Sequence, residues 1–382
     1  MKETIKNFWN ITVPVVFVLF VLVEIILSAF FWVEDPYKSI KNPVETSPYI
    51  RSQFKPNLKL EFEVDRFLSD MDEKVHFSTN NYGFRGDSIS PIKSEDEFRI
   101  FLFGGSTMEN MFIDDSRSIE KVLQLRLNDK YGKTVKVFNA AKSGDASPDH
   151  LAMLVHRVIH LEPDLIVFYA GFNDLTRVIS GYDFLHLQKN EKSSSASWTL
   201  GLKLFLSNFQ VYRRIHNVVQ NIQNPNILED IHLINNYKEK IEFVQKHRIE
   251  VKLDKGFSYE SYQNNLKSFI GTCQSNGVEV VILTQASSWG APEKFKEIRE
   301  FHWMNFIDGK RIKDEELAIE LDKINEINKK VALENDIGLL DIEKKIPKSL
   351  DYFYDDCHFN KKGVEVFSNY LYNFVLEKNL IP

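Results

Sequence analysis

The chain has 382 residues, 43% of them hydrophobic and 27% charged, values that are typical of globular proteins. Its formal net charge of −6 at pH 7 argues against a nucleic-acid partner, because nucleic-acid phosphates select basic surfaces. The 2 cysteines are too few for a disulfide scaffold or a structural zinc site, so we expect neither a bound metal nor another cofactor.

A long apolar segment lies near the N-terminus. Residues 11–33 form a nearly unbroken apolar sequence, which is interrupted by Pro14, Glu24 and Ser28. At about 1.5 Å per residue, a helix of this length spans roughly 34 Å, enough to cross a hydrocarbon core of about 30 Å. The segment is long, and Leu27-Ser-Ala29 is a poor cleavage site. We therefore favour an uncleaved transmembrane anchor over a cleaved signal peptide.

The flanks of this segment bear on its orientation. Residues 1–10 form a short N-terminal tail, and the large remainder of the chain follows the anchor. Lysines occur on both sides, so the positive-inside rule does not decide the topology. A short tail before a large domain is typical of a signal anchor. We predict a single-pass protein of the cell membrane with an extracytoplasmic domain, either periplasmic or external.

The rest of the chain divides into a connector and one large domain. Residues 34–80 contain four prolines and mixed charge, and we predict an extended connector with one or two strands. Within residues 81–382, apolar runs alternate with amphipathic segments, as in a parallel sheet covered by helices. Residues 176–257 are polar and rich in aromatic side chains, and they are too long for a simple crossover. We interpret them as a helical insertion or lid over the sheet, with a separate small domain as the alternative.

Five apolar runs predict the strands of an α/β domain. Four of them contain only apolar residues over several positions, as expected for strands that are buried on both faces. The intervening segments show helical periodicity. The predicted strands are 99–103, 135–139, 164–169, 278–284 and 338–342, and the predicted helices are 116–131, 148–161, 315–335 and 362–376.

The first three predicted strands end in glycine or polar residues. They are followed by Gly104-Gly-Ser106, by Asn139-Ala-Ala-Lys-Ser-Gly144 and by Gly171-Phe-Asn-Asp174, respectively. Ligands of an open parallel sheet bind beyond the carboxyl ends of its strands, so we expect these segments to meet at one edge. A P-loop is unlikely because the Gly-Lys-Ser/Thr sequence is missing.

A fourth segment, Asp355-Asp-Cys-His-Phe-Asn360, supplies a histidine and two carboxylates. A serine hydroxyl is a poor nucleophile at neutral pH unless a base takes its proton, and a carboxylate orients that base. Ser106 and His358 are therefore candidates for a nucleophile and its base. Asp355 is the preferred orienting acid, and its neighbour Asp356 is the alternative.

The four segments resemble, in chain order, the blocks of the SGNH (GDSL-like) hydrolases, a family of esterases and acyltransferases. The resemblance covers about residues 80–380. Within it, Asn80-Asn-Tyr-Gly-Phe-Arg-Gly86 is similar to a segment of membrane-tethered or secreted bacterial members. One position departs from the pattern, since Gly105 stands where the first block often has Asp, but Gly-Gly-Ser is a known variant.

This resemblance implies a flavodoxin-like three-layer α/β/α sandwich with a five-stranded parallel sheet. It also implies roles for the site residues. Ser106 is the nucleophile, His358 the base and Asp355 the orienting acid, and the oxyanion hole consists of the backbone of Ser106, the backbone of Gly144 and the side chain of Asn173.

Two further sets of residues complete the sequence-based expectations. Gly105 and Trp289 follow the first and fourth predicted strands and are candidate substrate contacts, with ordinary loop packing as an equal alternative for Trp289. We expect Cys273 and Cys357 to be unpaired buried thiols, although an extracytoplasmic location would also permit a disulfide between them.

The resemblance and the predicted location together imply a serine esterase that hydrolyses O-acyl esters, with O-acetyl esters favoured. The expected partners are an acylated small molecule, glycan or lipid, the membrane through the anchor, and enzymes of envelope polysaccharides. An O-acyltransferase that acts on a surface glycan is the first alternative, since it shares these residues. A catalytically silent binding module is the second.

Overall fold

The computed structural model describes residues 8–33, 44–131, 134–181, 202–203, 205–223, 237–253, 256–307 and 310–382. Residues 1–7 of the predicted tail, residues 34–43 of the predicted connector and much of the predicted insertion therefore lie outside the described residues. The chain divides into two compact units. The smaller combines residues 1–43 with 186–230, and the larger combines residues 44–185 with 231–382.

The strands and helices are named here in chain order. The strands are β1 Val44–Glu45, β2 Gln53–Phe54, β3 Lys59–Glu63, β4 Lys74–Ser78, β5 Glu97–Gly104, β6 Thr134–Asn139, β7 Leu165–Tyr169, β8 Glu250–Val251, β9 Glu279–Leu283, β10 Phe306–Ile307, β11 Lys310–Ile312 and β12 Gly338–Leu340. The α-helices are α1 Val13–Phe30, α2 Ser106–Glu109, α3 Ile119–Tyr131, α4 Ser147–His156, α5 Phe172–Ile179, α6 Gln210–Gln223, α7 Tyr237–Lys246, α8 Glu260–Ser275, α9 Asp314–Glu334 and α10 Lys361–Glu377.

A five-stranded parallel sheet in the order β12-β9-β7-β5-β6 forms the centre of the larger unit. Each of its strands overlaps one of the five predicted from the sequence. In β5, Phe101 lies opposite Phe138 of β6 and Ile166 of β7. Because β5 precedes both of its neighbours in the chain, the winding direction reverses there, and this reversal marks the topological switch point at which such sheets bind ligands.

Helices cover both faces of this sheet. Successive residues of a strand point to opposite faces, so Phe101 and Phe103 join the core under α4, α8 and α9. Ile100 and Leu102 join the core under α3 and α10. All four side chains are fully buried. Burial on both faces is the reason that these strands are apolar without alternation, and the predicted three-layer α/β/α fold is confirmed.

The structure also contains elements that the sequence analysis did not predict. Helix α8 buries Tyr262, Leu266, Phe269, Ile270 and Cys273. Their spacing of three, four and seven residues is the helical period, so the signal was present just beyond the boundary of the predicted insertion. The described part of the predicted connector holds two antiparallel pairs, β1 with β2 and β3 with β4, and therefore four strands where one or two were predicted.

Gly104 at the end of β5 occupies a position without room for a side chain. A Cβ there would lie 2.4 Å from the Tyr169 carbonyl oxygen and 2.6 Å from Met108 Cβ. We expect Gly104→Ala to lower the free energy of unfolding by about 1–3 kcal/mol or more, because a packed core resists an added methyl group. Urea denaturation of the purified protein measures the change.

Gly271 offers a matched control for this substitution. It lies inside α8, and a Cβ would meet nothing within 4 Å. Alanine is the better helix former, so Gly271→Ala should raise stability by roughly 0.5–1 kcal/mol. Equal effects at the two glycines would show that close packing at the end of β5 is not the reason for Gly104.

The smaller unit contains α1 and α6. Together with a preceding π-helical turn, α1 gives a helix from Phe8 to Phe30, with 23 residues, a mean hydropathy of 2.8 in its most apolar window and no buried residue in that window. A helix of this length and composition can cross a membrane, a property that anchors share with signal sequences.

Candidate active site

The first site segment is the tight turn between β5 and α2. Gly105 has an extended backbone, and Ser106 is the first residue of α2. A Cβ at position 105 would lie only 2.5 Å from Asn173 Nδ2. This close approach explains why glycine stands where the family pattern often has Asp, and it brings the third segment next to the candidate nucleophile.

The second segment is fixed to this turn by Asn139 at the end of β6. The Asn139 amide donates to the Met108 carbonyl (2.9 Å) and to the Glu120 carboxylate (3.0 Å). The Lys142 N–H donates to the Gly104 carbonyl at 3.1 Å. The loop that leads to Gly144 therefore lies against α2, and Gly144 itself is exposed with a φ of +78°, a conformation that favours glycine.

Glu109 lies under this loop and was not singled out by the sequence analysis. Its side chain is fully buried, and its carboxylate accepts the backbone N–H of Ser143. Burial raises the pKa of Glu109, and the hydrogen bond from Ser143 and the nearby Lys142 only partly oppose this. The signal that could have drawn attention to Glu109 is its position three residues after Ser106, in the same single-turn helix α2. The contact holds the loop that carries Gly144.

Arg85, from the predicted Asn80–Gly86 segment, supports the other end of α2. Its guanidinium is 2% exposed and donates to the carbonyls of Glu109 (2.7 Å) and Ile113 (2.9 Å). It also forms an ion pair with Asp115 at 2.9 Å. Through Arg85, the Asn80–Gly86 segment therefore fixes the chain that follows Ser106.

The third segment contains the start of α5, and Asn173 is the second residue of this helix. Its Nδ2 donates to the Asp145 carbonyl at 2.7 Å, which uses one of its two N–H groups. The next residue, Asp174, is buried and accepts from the N–H and the hydroxyl of Ser147, the latter at 2.6 Å. Burial raises the pKa of Asp174 to about 6. These bonds tie α5 to the start of α4.

A small pocket lies among these segments at the switch point. About 200 Å³ of space there is free of protein atoms. The residues that line it are Gly105, Ser106, Thr107, Asp145, Ala170, Gly171, Phe172, Asn173 and Gln285. The first and third predicted segments therefore meet, together with Asp145, which directly follows the second.

The fourth segment pairs His358 with Asp355. The Nδ1 atom of His358 lies 2.9 and 2.8 Å from the two carboxylate oxygens of Asp355, which also accepts the backbone N–H of His358 at 2.9 Å. Burial by itself would lower the pKa of His358, but the Asp355 charge outweighs it and the pKa is raised. Conversely, burial would raise the pKa of Asp355, and the interaction with His358 lowers it instead.

This segment lies at the carboxyl edge of the sheet. The Phe359 ring stacks on Tyr169, the last residue of β7, with 6.4 Å between ring centroids. Ser288, which follows β9, donates its hydroxyl to the Asp355 carbonyl at 2.9 Å. All four predicted segments thus belong to one edge, and no hydrogen bond joins Ser106 to His358 among the described residues.

Asp356 has a different environment from Asp355. Its carboxylate accepts from the Trp289 indole N–H (2.7 Å) and from the backbone N–H groups of Trp303 (2.8 Å) and Met304 (2.9 Å). Burial, followed by the charge of Asp355, raises the pKa of Asp356 to about 7. Asp356 makes no hydrogen bond to His358, so Asp355 is the carboxylate in contact with the imidazole.

The structure corrects the expectation for Trp289 as a substrate contact. The indole is fully buried, stacks on Phe172 with 4.5 Å between ring centroids and donates to Asp356. It fills the core beneath the fourth segment and presents no surface to a substrate. Loop packing, the alternative left open by the sequence, describes its position.

Two aromatic residues that the sequence analysis did not select contact Asp355. Trp303 Nε1 donates at 3.2 Å, and the Tyr237 hydroxyl donates at 3.4 Å, to the same carboxylate oxygen. Lys240 lies over the Trp303 ring, 3.4 Å from its centroid, and burial lowers the pKa of Lys240 to about 8. These donors come from distant parts of the chain, and no local pattern connects them with the triad segment.

The cysteines are unpaired, and one lies beside the His358–Asp355 pair. Cys273 and Cys357 are both buried free thiols. Ligand atoms of Asp355, Cys357 and His358 lie within 4.8 Å of one another, a grouping that can hold a metal ion. Burial, followed by the charges of Asp355 and Asp356, raises the pKa of the Cys357 thiol well above its usual value.

The class of protein follows from the fold together with the site. A flavodoxin-like sheet with Ser106 at its switch point, and a His–Asp pair at the same edge, defines a serine hydrolase of the SGNH type. The chain belongs to the GDSL-like lipase/acylhydrolase family, whose model matches residues 102–366. It is therefore an ester hydrolase by family. No curated protein sequence matches it significantly.

The chain is also similar to several solved structures, at low sequence identity. The lipase/acylhydrolase from Enterococcus faecalis is 15% identical with a TM-score of 0.41, and the alignment covers 74% of this chain and 96% of that one. A GDSL-like lipase from Bacteroides thetaiotaomicron is 11% identical with a TM-score of 0.41 and coverages of 76% and 93%. The acetylxylan esterase Axe2 from Geobacillus stearothermophilus is 12% identical with a TM-score of 0.42 and coverages of 75% and 96%.

Proposed function

We propose that this chain is a membrane-anchored, extracytoplasmic serine esterase that hydrolyses O-acyl esters, O-acetyl esters foremost, on a glycan or lipid of the cell envelope. The observation that carries the proposal is the contact of His358 Nδ1 with both oxygens of Asp355. It leaves Nε2 as the nitrogen that takes the proton of Ser106. The apolar helix from Phe8 to Phe30 supports the anchor.

The chemistry has two halves. As His358 accepts the proton, Ser106 Oγ bonds to the acyl carbon, and the alcohol leaves with that proton when its C–O bond breaks. Water, deprotonated by the same imidazole, then attacks the acyl carbon, and the bond from that carbon to Ser106 Oγ breaks. Oγ takes the proton back from His358 as the acid is released. Asp355 stabilises the imidazolium in both halves of the reaction and remains ionised throughout.

The oxyanion is held by three donors in this proposal. They are the backbone N–H groups of Ser106 and Gly144 and the second N–H of Asn173 Nδ2, the first being bonded to Asp145. Gly105, which lines the pocket beside Ser106, is the proposed substrate contact in this turn.

Asn173→Ala should lower kcat by about 10²–10³ while KM stays nearly constant, because the lost donor acts mainly on the charge that develops in the transition state. Asn173→Asp keeps the size of the side chain but replaces the donor with a negative charge, so it should be at least as impaired. Steady-state kinetics with 4-nitrophenyl acetate measures both.

Asn276→Ala is the control for these substitutions, since Asn276 is exposed at the end of α8. It should leave kcat unchanged. If Asn173→Ala raised KM alone, the amide would be a ground-state contact with the substrate and not a donor to the oxyanion.

The experiment that tests the proposed activity combines labelling with product analysis. The full-length protein should react with a fluorophosphonate at Ser106 and should cleave acetyl esters faster than butyryl or dodecanoyl esters. With an acetylated glycan, free acetate should form. Transfer of the acetyl group to an added glycan acceptor, without release of acetate, would identify an acyltransferase, and absence of labelling would identify a silent module.

A further inference from the structure

Glu24, the only charged residue in α1, contacts the first turn of α6. Its carboxylate accepts the backbone N–H of Gln210 and that of Val211, the latter at 3.1 Å. The first N–H groups of any helix lack partners within the helix, and a carboxylate inside a membrane is costly. The contact between Glu24 and α6 therefore gives the carboxylate hydrogen-bond donors and gives the first N–H groups of α6 an acceptor. Glu24 lies six residues before the end of α1, about 9 Å along its axis.

The chain just before α6 packs still deeper along α1. The Phe209 ring lies against Phe20, with 5.6 Å between ring centroids in an edge-on contact. Phe20 is ten residues before Phe30, about 15 Å along the helix axis. If α1 spans a bilayer, Phe209 therefore lies inside the hydrocarbon.

Further contacts fix α6 at the end of α1. The Gln210 side chain bonds both to the N–H (2.8 Å) and to the carbonyl (3.2 Å) of Val33. Arg213 donates to the Val33 carbonyl at 2.9 Å, and Arg214 donates to the Phe31 carbonyl. Carbonyls at the end of a helix lack internal partners and attract cations. Both arginines thus lie at the depth where α1 leaves the membrane.

Several apolar side chains just before α6 and within it are exposed. Phe205 is 60% exposed, Ile215 56% and Val218 55%, and Leu202 and Val219 are also exposed. In α6 the apolar positions recur every three or four residues, which is the pattern of a helix that lies at a membrane surface. Arginine stems at the polar side can keep their charged groups at the interface.

We propose that residues 202–203 and 205–223 form a second membrane-embedded element, in which residues 205–209 enter the hydrocarbon beside α1 and α6 leaves it along the interface with its apolar face in lipid acyl chains. The inference rests on the anchor in the proposed function. The occupant is lipid because Glu24 and Phe20 fix the element to a segment that itself lies in the bilayer. The larger unit would then be joined to the membrane by three chain connections, after residues 43, 185 and 230, and not by one.

Site-directed spin labelling of the full chain in phosphatidylcholine vesicles tests this element. Single cysteines at Phe205, Ile215 and Val219 carry the label, and native Cys273 and Cys357 do not react because they are fully buried. The ratio of collision rates with oxygen, which concentrates in lipid, and with a nickel chelate, which stays in water, reports the surroundings. We expect that ratio to be several-fold higher than at the control positions Ile92 and Leu333, which are 80% and 85% exposed in the larger unit.

A label at Val16 in α1 separates this inference from the anchor. A lipid-like ratio at Val16 with a water-like ratio at Phe205, Ile215 and Val219 overturns the second element alone. Protection of these three positions from both reagents also overturns it, because the face would then be covered by protein. A water-like ratio at Val16 overturns the anchor and the second element together.

Substitutions of Glu24 test what holds the element in place. Glu24→Leu removes the acceptor for the first N–H groups of α6, so nickel collisions at the Phe205 label should increase several-fold. Glu24→Gln keeps an acceptor oxygen and should preserve the lipid-like ratio. An unchanged ratio in Glu24→Leu would show that the carboxylate does not fix α6 to α1. Labels at Ile92 report whether the larger unit stays folded in both variants.

Discussion

Replacing Ser106 with alanine is expected to lower kcat for 4-nitrophenyl acetate by roughly 10⁴- to 10⁶-fold, because no covalent acyl-enzyme can form. The remaining activity would come from the oxyanion donors and from substrate binding. Among the described residues, no hydrogen bond depends on the Ser106 hydroxyl, so the fold should be unaffected. Steady-state kinetics and fluorophosphonate labelling measure the two losses together.

A second serine controls for general effects of the substitution. Ser268 lies on the exposed side of α8, and its hydroxyl bonds only to the Asn264 carbonyl of the same helix. Ser268→Ala should retain both labelling and turnover. If Ser106→Ala kept full activity, the covalent mechanism would be abandoned, and labelling at another residue would identify the true nucleophile.

Asp355→Asn should lower kcat by about 10⁴-fold, whereas Asp356→Asn should change it far less. Asparagine at position 355 no longer stabilises the imidazolium and favours the wrong tautomer of His358. Asp356 contacts Trp289 and two backbone N–H groups instead, so its loss should lower the free energy of unfolding by about 1–3 kcal/mol. Kinetics and denaturation of both variants separate the two roles.

The pH dependence gives these variants a second readout. His358 must be neutral to act as a base, and its pKa is raised above 6.5 because the Asp355 charge outweighs burial. Activity of the unmodified enzyme should therefore fall as the pH decreases through a value above 6.5. In Asp355→Asn burial still lowers the His358 pKa, and of the charges that raise it only the weaker ones of Asp356 and Glu109 remain, so the acid limb of the residual activity should move to lower pH. A shift in Asp356→Asn alone would make Asp356 the orienting acid.

Gly105 departs from the family pattern, which often has Asp at this position, and close packing against Asn173 explains the difference. An aspartate in the first block would need room for a side chain, and here the Asn173 amide occupies that room. The Asn173 amide group is consequently held close to the turn that presents Ser106. Glycine at position 105 thus makes room for the Asn173 amide, the proposed oxyanion donor, beside Ser106.

The α/β fold could be predicted because its signals are local. A strand buried on both faces, such as 99–103, must be apolar throughout, and a covering helix must repeat its apolar residues every three to four positions. The glycine and polar residues after the strands then had to meet at one edge, because parallel strands end on the same side. The His–Asp spacing within four consecutive residues was equally local.

Tertiary structure decided what depends on partners far along the chain. Nothing near Trp289 in sequence indicates that its indole bonds to Asp356, and nothing near Glu109 indicates that it holds the Ser143 amide. Likewise, the contact of Glu24 with α6 joins residues 186 positions apart. Such contacts depend on which surfaces the folded chain brings together, and a sequence pattern carries that information only where the partners are neighbours.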